Sequence, residues 1–365
     1  MKKILIISSE LSYRNGWGRV ALEISNSLES NEIKIINVCG NTENKVPVPN
    51  LVSIKYWNYK KLFLTFIDFV NVIFKLRNKI DYIIATDEAS LLLAHWLSGY
   101  YKVPFSFISH GTYALKILDE LNPIVHKQAV QKAENIFTVS AYTSKQIKKL
   151  TNIYNKKIKV INNGVSKKFL ERAKSIEPKK HQILTVGAIK ERKGLLELIS
   201  MLSKIDVDQR PILNVVGSYD RKDIYVRKVF KEIREQNLSN FVKFHNQITD
   251  DEMISIMDKS KVFILPSKNT SKRDFEGFGI VFLEASSRYL PVIGSYDCGN
   301  EDAIIHGKTG FLVKQGDVDG LKKSMLSLLN DSNLSKKIGD NGRLFAEKMS
   351  WDRTTKLILD NINFK

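Results

Sequence analysis

Two carboxylates set the chemistry open to this chain. Glu276 and Glu284 stand eight positions apart in EGFGIVFLEA, residues 276–285, after the apolar run KVFILP (261–266) and the polar loop SKNTSKRDF. That order reads as a strand that ends, a loop that delivers Glu276, and a helix whose first backbone N–H groups are bare. Along Gly277, Phe278, Gly279 and Ile280 the two glycines let an anionic ligand approach that helix end closely. If the interval between the glutamates is mostly helical, eight residues rise ~12 Å at 1.5 Å each. That is the reach of a sugar diphosphate with its ribose, one carboxylate facing the sugar and the other the ribose hydroxyls.

A second strand–loop–helix passage, VGAIKERKG (186–194), ends its strand at Gly187 and then brings Arg192 and Lys193 together. Cations at that place grip a diphosphate, arginine as a planar fork and lysine as a point charge. Earlier in the chain, His110 follows the apolar run FSFIS and precedes Gly111. The carboxyl end of a strand is where open α/β sheets bind ligands. Nearer the start, the strand-like ILIIS leads into SELSYRNGWGRVALEIS, where Gly16 allows a loop before a helix to approach a ligand.

These passages carry a family resemblance. EGFGIVFLEA, in its strand–loop–helix setting, resembles the E-x7-E motif of retaining GT-B glycosyltransferases, the large family that includes glycogen-synthase-like and lipid-linked mannosyltransferases. Asn15-Gly16-Trp17-Gly18-Arg19-Val20 is similar to the family's Gly-Gly-x-x-Arg-Val, with Asn15 in place of the first glycine. DCGNEDAIIHGKTGFLV (297–313) resembles its Gly-Gly-x-x-Glu loop followed by Gly-x-x-Gly-Phe; Cys298 replaces the first glycine, Gly299 keeps the second, and Asp302 stands for the glutamate. Asn162-Asn163-Gly164-Val165 fits the loop before the interdomain linker. The likeness covers essentially the whole chain.

The resemblance implies an α/β chain of GT-B type, two Rossmann-like doubly wound domains facing across a cleft. It implies transfer of a hexose from GDP-mannose or a UDP-sugar to a hydroxyl of a glycan or lipid-linked acceptor, with retention, in bacterial surface polysaccharide synthesis. In that reading Glu276 lies by the donor sugar and Glu284 holds the ribose. Arg192 and Lys193 stabilise the departing diphosphate, and His110 touches the sugar. Gly16, Gly187, Gly277, Phe278, Gly279 and Ile280 line the donor. Asp-x-Asp pairs at 206–208 and 317–319 could hold a metal–nucleotide complex. Short acidic doublets are usually solvated turns, so no metal is expected, and no organic cofactor.

The elements that must position these residues are legible as alternating apolar runs and helical patterns, which argues for parallel sheets in α/β layers. At 365 residues and 43% hydrophobic, the chain is long enough for two domains. Candidate strands of the first lie at 4–8, 33–39, 81–86, 105–109, 135–140 and 158–164. Those of the second lie at 183–188, 211–217, 242–246, 261–266, 292–295 and 310–313. The polar segment 166–182, which contains Pro178, has no strand signal. The expected division is a first, acceptor-binding domain at 1–168, a linker at 169–182 and a donor domain at 183–349. Residues 350–365 resemble the family's terminal helix, which returns to the first domain.

Cys39 and Cys298 are far apart and without metal-like spacing, which favours a reducing cytosol over a disulfide framework. The opening ILII is too short for a signal-peptide core, and no run reaches the length of a membrane-spanning helix. Net charge is +18, and residues 1–170 hold 24 Lys and Arg against 12 Asp and Glu, or +12 of it. No nucleic-acid module accompanies that excess and the lysines are scattered, so no nucleic-acid partner is expected. Residues 56–79, YWNYKKLFLTFIDFVNVIFKLRNK, combine aromatics, apolar residues and flanking bases. They fit equally a core helix or peripheral contact with an anionic membrane at its cytoplasmic face. The competing readings are a nucleotide-sugar 2-epimerase of the same fold and a basic nucleic-acid-binding protein.

Overall fold

Apolar runs such as Ile4–Ile7 are completely buried, as expected of strands covered by helices on both faces of a parallel sheet. The computed structural model describes the chain except residues 14, 31, 43–47, 49, 55–61, 77–78, 112–122, 152–156, 172–180, 247 and 365. Two all-parallel sheets result. The first contains β1 (Lys2–Leu11), β2 (Ile33–Thr42), β3 (Leu51–Ser53), β4 (Tyr82–Ala85), β5 (Phe105–Ser109), β6 (Ile136–Thr138) and β7 (Ile158–Val160). Their order is β3-β2-β1-β4-β5-β6-β7. Register is fixed at the centre, where Ile4 lies beside both Ile35 of β2 and Tyr82 of β4.

The second sheet contains β8 (Gln182–Val186), β9 (Ile212–Val216), β10 (Val242–His245), β11 (Val262–Ile264), β12 (Val292–Ser295) and β13 (Gly310–Val313), in the order β10-β9-β8-β11-β12-β13. Both sheets are doubly wound and Rossmann-like. The strand order reverses between β1 and β4 in one and between β8 and β11 in the other. In such sheets the ligand crevice lies outside the carboxyl ends of the two strands that flank the reversal.

The chain divides into two compact units, Met1–Asn163 with Trp351–Lys365, and Gly164–Ser350. Residues 164–171, which the sequence reading splits between the first domain and the linker, group with the second unit. Val165 bridges to Ser350 there. Phe169 is fully buried, and its carbonyl accepts from Ser287 Oγ at 3.1 Å and Arg288 Nη1 at 3.2 Å. The rest of the expected linker, 172–180, lies outside the described residues. Helix Trp351–Leu359 groups with the first unit, where Thr354 Oγ1 donates to the Asn162 carbonyl at 2.7 Å.

Candidate active site

In the second unit the strand reversal brings the expected donor-site residues together. Beyond β8 the chain passes Gly187 and makes a 3-10 turn, Glu191–Lys193. It then turns through Gly194 into helix Leu195–Ser203. Beyond β11 it runs through Pro266 and Ser267 to Glu276. Arg192 Nη1 donates to Glu276 Oε2 at 2.7 Å, and Lys193 Nζ donates to the same oxygen at 2.6 Å. Two adjacent cations and a carboxylate more than eighty positions further on thus form one ion cluster at the place where topology alone would put a ligand.

Close backbone approach makes this convergence possible. A Cβ on Gly194, where φ is +71°, would stand 2.0 Å from the Pro266 carbonyl oxygen, so the loops after β8 and β11 touch there. The loop after β12 joins them: Gly299 N–H donates to the Glu276 carbonyl at 2.8 Å. A Cβ on Gly299 would fall 2.0 Å from the oxygen of Gly277. Gly187, with φ at +145°, lies under the Lys193 stem, its notional Cβ 3.2 Å from Cε.

The cluster holds two cations against one carboxylate, and Glu276 is only 8% exposed. Burial alone would push the Glu276 carboxyl up. Lys193 and Arg192 outweigh it, by charge and by hydrogen bonding, and hold the carboxyl down at about 2. Burial pulls the Lys193 ammonium below its usual range, with Glu276 opposing. Cys298, fully buried beside the cluster, has its thiol pushed up to about 12 by burial and is inert as a thiolate.

The helix after Glu276 begins later than a mostly helical interval would require. It spans Ile280–Ser287, so residues 277–279 are loop and the ~12 Å rise expected between the glutamates does not hold. Gly279 causes the late start: it precedes the helix at φ +87°, and a Cβ there would meet Phe282 Cδ2 at 2.6 Å. The helix's N-cap residue, Gly279, has no side chain with which to cap it. Phe278 is buried, Ile280 half-buried, and Glu284 is buried on the helix's second turn.

Sequence reasoning missed three polar groups close by. Ser267 Oγ, Ser295 Oγ and both amide atoms of Asn300 are fully buried, without hydrogen-bond partners among the described residues, at the carboxyl ends of β11 and β12. Each such group costs about 1–3 kcal/mol in a closed interior, and natural folds keep few of them. Asn300 gave no signal, since in the loop 298–302 it holds a position that the family pattern leaves variable.

The first unit has its own polar knot at its strand reversal. Asp87 and Glu88 follow β4. Asp87 Oδ2 accepts from the Ser9 N–H at 2.7 Å, tying the ends of β1 and β4. Glu88 Oε1 accepts from the His110 N–H at 2.7 Å and from Ser109 Oγ at 3.0 Å. His110 Nε2 lies 2.6 Å from the Thr86 carbonyl oxygen, to which it donates. Burial pushes the Glu88 carboxyl up, with His110 opposing. Asn15 stands at the N-cap of helix Gly16–Leu28 with extended φ of −141°, its Oδ1 accepting from Gly18 N–H at 2.8 Å. The residue in the family's first glycine position is therefore a helix cap. Gly18 is packed against Ser12, whereas a Cβ on Gly16 would meet nothing within 4 Å among the described residues.

The acidic doublet at 317–319 is engaged elsewhere. Asp317 caps helix Val318–Asn330 through the Gly320 N–H, and Asp319 pairs with Lys204 at 2.8 Å.

Comparison with known proteins agrees with this geometry. The sequence profile described as glycosyl transferases group 1 matches residues 166–345, and that of glycosyltransferase family 4 matches residues 14–169. An uncharacterized glycosyltransferase of Methanocaldococcus jannaschii is 30% identical over 253 residues, 69% of this chain and 66% of its own length. The chain belongs to the group 1 glycosyltransferases. The capsular polysaccharide biosynthesis glycosyltransferase CapM of Staphylococcus aureus is 29% identical to this group 1 glycosyltransferase over 205 residues, 52% of this chain and 51% of CapM. The matched region thus spans about half to two thirds of these relatives. Among solved structures, Anabaena HepE in complex with UDP and glucose superimposes with a TM-score of 0.83 over 99% of both chains at 17% identity. That likeness is one of fold, and the fold is GT-B.

Proposed function

We propose that this group 1 glycosyltransferase moves a hexose from a nucleoside diphosphate sugar to an acceptor hydroxyl, at a donor site built on Arg192, Lys193 and Glu276. The single observation that carries this reading is the buried cluster in which two cations share one carboxylate oxygen at the β8–β11 reversal. A diphosphate brings the negative charge that such a cationic pair lacks. When it binds, Arg192 and Lys193 pass from the carboxylate to the phosphate oxygens, and Glu276 is released toward the sugar.

As the glycosidic bond breaks, the leaving group gains charge on its diphosphate. Two preorganised cations and the N-terminus of helix Ile280–Ser287 then stabilise it without metal. Glu284, four residues into that helix, takes the ribose hydroxyls. Because the cationic groups lie on the leaving-group side, the acceptor attacks from that same face with retention, and a phosphate oxygen takes its proton. GDP-mannose and UDP-hexoses are the donor classes. The acceptor is a growing surface glycan or its lipid-linked precursor, a reading supported by likeness to the capsular enzyme CapM.

Product analysis tests the proposal. The chain is incubated with each donor and a glycosyl-lipid acceptor, with and without chelator, and the anomeric configuration is read by proton NMR. Transfer with retained configuration, insensitive to chelator, is expected. Conversion of the donor to its 2-epimer without acceptor would replace this reading with the epimerase.

A further inference from the structure

One helix of the first unit packs Phe69, Val72 and Ile73 on the core and leaves three phenylalanines outside. Leu62–Lys75 runs LFLTFIDFVNVIFK, and its buried residues are Thr65, Asp68 and Val72. Asp68 is 1% exposed, while Phe63, Phe66 and Phe74 are 73%, 52% and 76% exposed. At 3.6 residues per turn, positions 63, 67, 70 and 74 fall on one stripe; its two ends, Phe63 and Phe74, are exposed, and Ile67 and Val70 between them are half-buried. A helix that serves only its own core places such residues inward. Large aromatic side chains left out on one face mark a surface that is covered by something.

The rest of the patch agrees. Phe66 and Phe69 pack edge-on against Trp96 of helix Leu91–Tyr101, at 6.4 and 6.1 Å between ring centroids. Phe69 in turn meets Tyr100 at 6.2 Å, and Tyr100 is itself 55% exposed. The exposed phenylalanines thus stand on a firm aromatic shelf, with amphipathic Tyr at its edge. Charge is sorted with equal care. Every acid in residues 51–104, namely Asp68, Asp81, Asp87 and Glu88, is buried. Lys75, Lys79 and Lys102 are exposed. The surface this stretch presents is aromatic and cationic, without an acid.

We propose that the outer face of Leu62–Lys75 is a docking surface for an anionic lipid bilayer, with Phe63, Phe66 and Phe74 entering the interface and the lysines meeting the headgroups. Charge complementarity selects this occupant: a second copy would set one cationic face against another, whereas anionic lipid supplies the missing charge. Length selects the mode. Fourteen residues span ~21 Å, short of the ~30 Å hydrocarbon core, so the helix lies in the interface. Among the described residues no helix is long and apolar enough to cross a membrane. The surface is independent of the proposed donor site, and it would hold the enzyme where a lipid-linked acceptor is found.

The test sediments the full chain with vesicles of phosphatidylcholine alone and with vesicles containing phosphatidylglycerol. Wild type is expected to pellet with the anionic vesicles, more weakly at roughly 0.5 M salt. Phe63→Ser combined with Phe74→Ser removes the two most exposed rings and is expected to lower partitioning about tenfold or more. Lys79→Glu lowers it without touching the aromatic face. Both variants should keep the wild-type melting temperature and nucleotide binding, which separates this result from failure of the donor site. Equal pelleting of wild type and the double variant would overturn the proposal, as would no pelleting of wild type. A concentration-dependent dimer, abolished by the double variant and without vesicle binding, would also overturn it and assign the face to a second copy.

Discussion

Lys193 Nζ lies 2.6 Å from Glu276 Oε2, and Arg192 Nη1 lies 2.7 Å from the same oxygen. One carboxylate oxygen thus engages both cations. At the proposed donor site, a diphosphate would therefore have to compete with this internal ion pair.

The pair ties stability to pH. The folded Glu276 carboxyl is held at about 2, below its ordinary value near 4.5. A depressed carboxylate contributes stability that is present above its unfolded pKa and lost as pH falls through the folded one. Urea denaturation between pH 5 and pH 2, in steps of about half a unit, should show the second unit weakening over that window. Glu276→Gln should flatten the curve.

Removing a cation should be more damaging than removing the carboxylate's charge. In Lys193→Ala a buried carboxylate keeps only the more exposed Arg192. Breaking a buried pair in this way typically costs about 3–5 kcal/mol. Chemical denaturation at neutral pH should place Lys193→Ala below Arg192→Ala, whose guanidinium is a quarter exposed. A larger loss in Arg192→Ala would contradict the burial argument.

Glycines divide by what a methyl would strike. Gly299→Ala would drive Cβ into the Gly277 backbone at 2.0 Å, and Gly16→Ala would meet open space among the described residues. Gly299→Ala should lose several kcal/mol of stability, or about the 1–3 kcal/mol of an overpacked core if the loop gives. Gly16→Ala should stay within about 0.5 kcal/mol, as for surface changes. Any loss of donor binding in Gly16→Ala would then report ligand approach and not folding.

Glu88 behaves oppositely to Glu276. Its folded pKa is raised by burial, so ionising it costs stability as pH rises through that value. Glu88→Gln keeps an acceptor for the His110 N–H and Ser109 hydroxyl while removing the charge. It should match or exceed wild-type stability at pH 8. Glu88→Ala strands both donors and should cost about 1–3 kcal/mol for each. Thermal melts of the two variants across pH 5 to 8 read both effects.

Much of this architecture was legible from apolar runs. Twelve of the thirteen strands among the described residues were readable because parallel strands buried on both faces leave unbroken hydrophobic segments. The exception, β3, is three residues at a sheet edge, with Leu51 and Ser53 exposed, so it leaves no such segment. Glu276, Arg192 and Lys193 were readable as separate motifs beside strand ends. Their pairing was not, because it depends on the crossover between β8 and β11 and on backbone contacts at Gly194 and Gly299. Glu88 and Asn300 were invisible for a related reason: each is defined by burial against other loops and not by local pattern. The helix Leu62–Lys75 was ambiguous in sequence, since an apolar stripe does not say which side of it is packed.

The most direct test of the donor site is calorimetric titration of UDP and GDP into wild type, Lys193→Ala and Glu276→Gln. One nucleotide should bind wild type, weaken at least about tenfold in Lys193→Ala, and tighten in Glu276→Gln, whose cations no longer face a carboxylate; tenfold corresponds to 1.4 kcal/mol. Equal affinity in all three folded proteins, or no binding of either nucleotide to wild type, would contradict the account.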